Sequence, residues 1–163
     1  MTDNQMQVAY LETTFFSFYF DARPAPAIVA MRDWTRQFWE AHSGGYHFFT
    51  SPAVLDELRK GDLPHKQSAL GLALTVPVLL GGIEVAGIMR SYVEHRLMPK
   101  DPAGDALHLA LASFHNCDYL VTWNCRDLAN ANKFGHIREI NRLLGLKTPD
   151  MVTPLELLGE NEP

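Results

Sequence analysis

The chain has 163 residues, 47% of them hydrophobic and 20% charged, which suits one globular domain over residues 1–163 with its own core. Its formal net charge of −5 has the wrong sign for a passive binder that grips nucleic acid with a broad basic face. No run reaches the ~18 apolar residues of a membrane span. The opening MTDNQMQVAY has neither the basic start nor the apolar core of a secretory leader, so the expectation is a cytoplasmic protein with no membrane partner.

In chain order, QVAYLET predicts a buried strand: Val8, Ala9, Tyr10 and Leu11 follow one another without polar alternation, as in a parallel sheet covered on both faces, and Glu12 ends it. A loop carrying Phe15 to Phe20 is expected next. Pro24 and Pro26 precede a helix ending near His42, with Ile28, Met31, Trp34, Phe38 and Trp39 at helical spacing and Gly44 and Gly45 stopping it. YHFFTSPAVLDELRKG reads as a short strand and then a helix, with Ser51 as N-cap, Pro52 at the first helical position, Glu57 in the middle and Gly61 as terminator. Helices over 66–74 and 83–96 are separated by the extended VPVLL. GDALHLALA is apolar on every side and predicts a buried helix over 105–115, with Asp105 at its mouth. CDYLVTWN predicts a buried strand with Asn124 at its end, followed by a helix over 136–144. MVTPLELL closes with a short strand and a helix whose Thr153, Pro154 and Glu156 form a capping box.

Strands separated by helices of this length imply a parallel sheet with helices on both faces, an α/β/α sandwich. Ligands of such sheets sit beyond the carboxyl ends of the strands. Glu12 and Asn124 stand at such ends, Asp105 opens the helix leading into the Asn124 strand, and Glu57 is on a helix that starts from another strand end. Three carboxylates and an amide therefore have a route to one edge of the sheet. Oxygen donors of that kind suit Mg²⁺ or Mn²⁺, and such an ion polarises a phosphodiester and activates an attacking water.

Each residue also has an ordinary reading. Asp105 favours a helix N-terminus through the dipole alone, by roughly 0.3–1 kcal/mol; Glu57 fits a solvated helix face beside Asp56, Arg59 and Lys60; Asn124 fits a turn. Glu12 is harder to explain so, because Glu is depleted in strands. The seven histidines show neither HxxxH nor HExxH spacing, which disfavours a zinc hydrolase, and His108 reads as a packed or hydrogen-bonded side chain near the site. GxSxG, P-loop and GxGxxG sequences are absent. Cys117 and Cys125 lack CxxC spacing and read as buried thiols in a reducing compartment, and Trp34 and Trp39 as core.

Taken together, VAYLETT, SPAVLDELRKG, GDALHLALA, CDYLVTWNCRDLANA and MVTPLELL, in this order and over nearly the whole chain, resemble the PIN domain family, and within it the virulence-associated protein C (VapC) toxins. The resemblance implies a compact α/β/α fold and a Mg²⁺- or Mn²⁺-dependent endoribonuclease, often the toxin of a toxin–antitoxin pair. By position, the family's acids fall on Glu12, Glu57 and Asp105 as metal ligands, with a fourth, less constant position on Asn124. Two positions depart from the family. Glu12 stands where Asp is usual, and its extra methylene shifts the carboxylate by more than ~1 Å unless the backbone compensates, a displacement that can slow a reaction about 100-fold. Asn124 replaces an acid; Asp127, three residues on, is a candidate to compensate, and Thr13, Thr14 and Ser17 are candidates to hold Glu12 or a scissile phosphate.

The expected partners are an RNA substrate, a small antitoxin that sets an Arg or Lys among the carboxylates, and a second copy of the chain in a homodimer. The alternatives are a catalytically weak PIN-like module that binds a protein, motivated by Glu12 and Asn124, and a structure-specific DNA nuclease.

Overall fold

The structure, a computed structural model, describes residues 6–95 and 104–161. Its centre is a four-stranded sheet of β1 (Gln7–Leu11), β2 (Tyr46–Phe49), β3 (Tyr119–Val121) and β4 (Asp150–Val152), in the order β2-β1-β3-β4. Every pairing is parallel. Parallel neighbours need a crossover, and helices supply each one: α1 (Thr13–Tyr19) and α2 (Pro26–His42) between β1 and β2; α3 (Pro52–Lys60), α4 (Lys66–Ala73), α5 (Ile83–Glu94) and α6 (Asp105–Phe114) between β2 and β3; α7 (Ala131–Leu143) before β4; and α8 (Pro154–Asn161) after it. The result is the expected α/β/α sandwich, in which α1 and α8 pack on α2 while α5 packs on α6 and α6 on β3.

The strands read as apolar runs because both faces are covered. β3 is buried throughout, and Ala9, Tyr10 and Leu11 of β1 are fully buried. The expected strand over 117–124 is shorter as a strand, but its hydrogen bonding continues one residue at each end: Asp118 N–H donates to the Val8 carbonyl (2.8 Å) and Thr122 N–H to the Val152 carbonyl (2.9 Å).

The caps behave as their chemistry requires. Ser51 accepts from Val54 N–H at the start of α3, with Pro52 at the first helical position, and at α8 the Glu156 carboxylate reaches back to Thr153 N–H (3.2 Å) while Thr153 Oγ1 accepts from Glu156 N–H (3.3 Å).

Three expectations need correction. The segment after Glu12, read as a loop, is the helix α1, which buries Phe15 and Phe16; its aromatic and β-branched residues have modest helix propensity, but Phe15, Phe16, Phe18 and Tyr19 stand at helical spacing, and the Glu12 N-cap and packing against α2 complete it. α7 starts at Ala131 rather than near 136 because Asn130 caps it by accepting from Asn132 N–H, ahead of a glycine, Gly135, inside the helix. Cys125 is exposed, in a polar turn that leaves the sheet, whereas Cys117 is buried as expected. The helix expected over 83–96 is α5, which ends at Glu94 with His95 as its C-cap; residue 96 lies outside the described residues. Trp34 and Trp39 are half-buried and pack against the core. No helix among the described residues is long and apolar enough to cross a membrane.

The strand order has one consequence for function. From β1 the chain crosses to β2 on one side and later returns to β3 on the other, so the point where the winding reverses lies between β1 and β3. At such a point the loops leaving the two strands splay apart and open a crevice at their carboxyl ends. Leu11 is paired with Val121, so Glu12 and Thr122 leave the sheet there side by side.

Candidate functional site

Glu12 both ends β1 and starts α1. Its N–H donates to the Val121 carbonyl (3.1 Å), while its side chain turns back as the N-cap of α1. One oxygen, Oε2, accepts from Thr14 N–H (3.0 Å), Thr14 Oγ1 (2.5 Å) and Thr122 Oγ1 (2.8 Å), leaving Oε1 without a hydrogen bond among the described residues. The carboxylate is 4% exposed, so these bonds replace the water it gives up. Glu12 thus caps α1 and is tied at the same time to Thr122.

Glu57 arrives on α3, whose start is set by the end of β2. Its Oε2 accepts from Thr13 Oγ1, and its Oε1 pairs with His108 Nε2 at 3.1 Å. A carboxylate only accepts, so Nε2 carries the proton. On the far side of the ring, His108 Nδ1 lies 2.6 Å from the Tyr10 hydroxyl, which lies 2.7 Å from Ser51 Oγ. The cap of α3, the central strand, the buried helix α6 and Glu57 are thus joined in one hydrogen-bonded chain. Burial alone pushes the His108 pKa down, but the Glu57 hydrogen bond and the charges of Glu12, Glu57 and Asp105 outweigh it and raise it. Burial pushes Glu57 up, but the bonds from His108 and Thr13 and the His108 charge lower it overall. Burial holds the Tyr10 phenol well above its ordinary range, so it stays a neutral donor.

Asp105 opens α6, a helix otherwise buried along most of its length. Burial first, then the charges of Glu12 and Asp127, raise its pKa to about 6, against the lowering influence of His108 and a hydrogen bond from Asn124 Nδ2 (3.0 Å). The Asn124 amide is oriented by its other end, since Oδ1 accepts from Asp127 N–H (3.1 Å) and Arg126 N–H (3.3 Å). A neutral amide beside Asp105 avoids the like-charge repulsion that an acid at 124 would add. The Asp127 carboxylate pairs with Lys133 Nζ at 3.1 Å. Gly104, just before Asp105, has φ +94°, and a Cβ there would overlap Glu57 Oε1 and crowd His108 Nε2 at 3.2 Å. Only glycine combines that backbone with such a close approach.

Ligand atoms of Glu12, Glu57 and His108 lie within 4.8 Å of one another, and Asp105 is coupled to Glu12 and His108 by charge. Glu12 and Glu57, gathered around His108, with Asp105 raised first by burial and then by the Glu12 charge, form a donor set rich in oxygen. That is the chemistry a hard divalent cation fits. Sequence reasoning did not anticipate Tyr10, Ser51, Gly104 and Thr122 as supports. For His108 a signal existed: it lies three residues after Asp105, on the same helix face.

Compared by sequence, the chain matches no family model and no curated protein. Compared by structure, it is similar to a chain in the crystal structure of VapBC2 from Rickettsia felis bound to a DNA fragment from their promoter, with a TM-score of 0.55 and 18% identity, covering 90% of this chain and 97% of that one. At that identity the likeness is one of fold, and the fold is the PIN-like one that the motifs imply.

Proposed function

We propose that the protein is a Mg²⁺- or Mn²⁺-dependent endoribonuclease, with Glu12, Glu57 and Asp105 as the carboxylates that hold the cation and Asn124 orienting Asp105. The observation that carries this reading is the grouping of Glu12, Glu57 and His108, whose ligand atoms lie within 4.8 Å of one another, with Asp105 coupled by charge to Glu12 and His108 and its pKa raised by burial and Glu12 to about 6. Buried negative charge without a matching cation is destabilising, and a divalent ion is the simplest group to relieve it. Once bound, such an ion polarises the phosphodiester and lowers the pKa of an attacking water.

The residues supply the positioning. Thr14 and Thr122 fix one oxygen of Glu12 and leave the other for the ligand, Thr13 and His108 hold both oxygens of Glu57, and Asn124 sets the plane of the Asp105 carboxylate. Asp127 is engaged with Lys133 and acts on the site through its charge on Asp105. The likeness in fold to VapBC2, together with the motif resemblance, extends the reading to a toxin with a small antitoxin that sets a basic side chain among the carboxylates.

Cleavage of a mixed RNA pool by the purified protein in Mg²⁺, Mn²⁺ or EDTA, beside Asp105→Asn and Glu12→Asp, tests this. Cleavage that needs the metal and disappears in Asp105→Asn is expected. Activity that persists in EDTA or in Asp105→Asn would overturn the reading, and activity gained only in Glu12→Asp would replace it with that of a catalytically weak protein-binding module.

A further inference from the structure

Glu12, Glu57 and Asp105 are held by hydroxyls, a histidine and an amide. Asp127 is held by a lysine: Lys133 Nζ lies 3.1 Å from its Oδ1, the two side chains being 29% and 25% exposed. Among the described residues, no other Lys or Arg side chain is within ion-pair distance of these four carboxylates. Asp127 belongs to the site by two links. Its N–H donates to Asn124 Oδ1, while Asn124 Nδ2 donates to Asp105, and its charge is one of those that raise the Asp105 pKa. Lys133 therefore stands at the rim of the carboxylates, one acid removed from Asp105.

Helix energetics do not account for a lysine there. Asn130 caps α7 and Ala131 opens it, so Lys133 is the third helical residue, in the turn whose exposed N–H groups repel a cation and at the position where a capping box sets Glu or Gln. That first turn contains no acid. The Asp127 pair offsets the repulsion in the free protein, but a partly exposed ion pair is weak, and an ammonium binds a phosphate oxygen with the same geometry as a carboxylate oxygen. A polyanionic strand has need of such a group. A cation held by Glu12, Glu57 and Asp105 neutralises the phosphodiester being cleaved, whereas the next phosphate meets the charge of Asp127 in a chain of formal net charge −5, which has no broad basic face to offer it.

We propose that Lys133 is a phosphate-binding residue of the site, whose ammonium exchanges Asp127 for the phosphate next to the one cleaved and so sets the register of the strand. This rests on the nuclease reading for its catalytic meaning, but the exchange is measurable without cation or cleavage. Fluorescence anisotropy of a labelled, unstructured RNA oligomer is followed in EDTA as salt rises from about 50 to 200 mM, for the native protein, Lys133→Gln, Asp127→Asn, the double variant and Lys147→Gln. Lys147 is the control because it pairs with Asp118, whose carboxylate binds Val8 N–H at the end of β1 away from Glu12.

Lys133→Gln is expected to weaken binding about fivefold near 0.1 M salt and to make the slope of log affinity against log salt shallower by about 0.7, the value of one phosphate contact to a single strand. Lys147→Gln is expected to change neither. Asp127→Asn, which releases Lys133, should tighten binding, and Lys133→Gln should cost more in that background than in the native one. Thermal melts verify that each variant is folded. No binding at the lowest salt, an unchanged slope in Lys133→Gln, an equal change in Lys147→Gln, or an equal cost of Lys133→Gln in both backgrounds overturns the assignment. If RNA cleavage is absent while the binding results hold, the nuclease reading falls and the Lys133 contact stands; if cleavage proceeds with an unchanged slope, the reverse holds.

Discussion

At the scale of single residues, Asp105 makes the sharpest prediction. Its pKa is raised to about 6 in the folded state, from 3.8 in the unfolded chain, so between those values the folded state binds more protons than the unfolded one. Stability without a cation is therefore lower above pH 6, and the deficit disappears as pH falls toward 4. Asp105→Asn, which carries no charge at any pH, should raise stability in EDTA at pH 7 by of order 1 kcal/mol once solvent screening of this partly exposed group is allowed for, and with it the melting temperature, and should change both little at pH 4. Thermal melts of both proteins across that range check it; a stabilisation that does not depend on pH would contradict the assignment of cause. Gly104 makes a second case. Gly104→Ala forces a Cβ into the Glu57 carboxylate at a backbone angle that L residues rarely adopt, and should cost about 1–3 kcal/mol while weakening cation binding, both measurable by denaturant titration with and without Mg²⁺.

At the scale of elements, α3 and α1 carry the site by their first turns. Ser51 caps α3 and also bonds the Tyr10 hydroxyl that supports His108, so two functions meet in one side chain. Ser51→Ala should cost about 1–2 kcal/mol, more than a surface cap loses, because it also leaves a buried phenol short of a partner. Tyr10→Phe should cost more than Ser51→Ala because it also takes the hydroxyl from buried His108 Nδ1, and urea denaturation of the single and double variants measures the coupling. α1 is a short helix whose cap is Glu12 itself, so the candidate ligand and the start of the helix cannot move independently. Of these elements, α3 was legible in SPAVLDELRKG because cap, proline and terminating glycine are local signals. α1 was not, because seven residues of modest helix propensity are too short for the spacing of Phe15, Phe16, Phe18 and Tyr19 to stand out, and the helix depends on the Glu12 cap and on packing against α2.

At the scale of the whole molecule, the switch point between β1 and β3 gathers carboxylates from segments 45 and 48 residues apart, by the differences 57 − 12 and 105 − 57. Their mutual repulsion opposes folding, and a cation that binds only the folded arrangement reverses it by mass action. At a concentration about 100 times its dissociation constant, Mg²⁺ or Mn²⁺ should add about 2.7 kcal/mol of stability, raising the melting temperature by several degrees. The shift should vanish in Glu57→Gln, and an equal shift in that variant would place any bound cation elsewhere.

Local chemistry in the sequence determined the parallel sheet, the caps of α3 and α8, the buried character of α6, and the presence of Glu12 at a strand end, whereas β3 stops at Val121, short of Asn124. Each of these depends on residues close together in the chain, where hydrophobic run length and capping geometry act directly. The tertiary structure alone decided that His108 bonds Glu57 across 51 residues, that Glu12 is held by Thr122 across 110, that Gly104 must lie against a carboxylate, and that Trp123 stacks on Trp34. Those contacts are set by how crossovers dock on the sheet, and docking follows the packing of whole faces, which no short window of sequence contains.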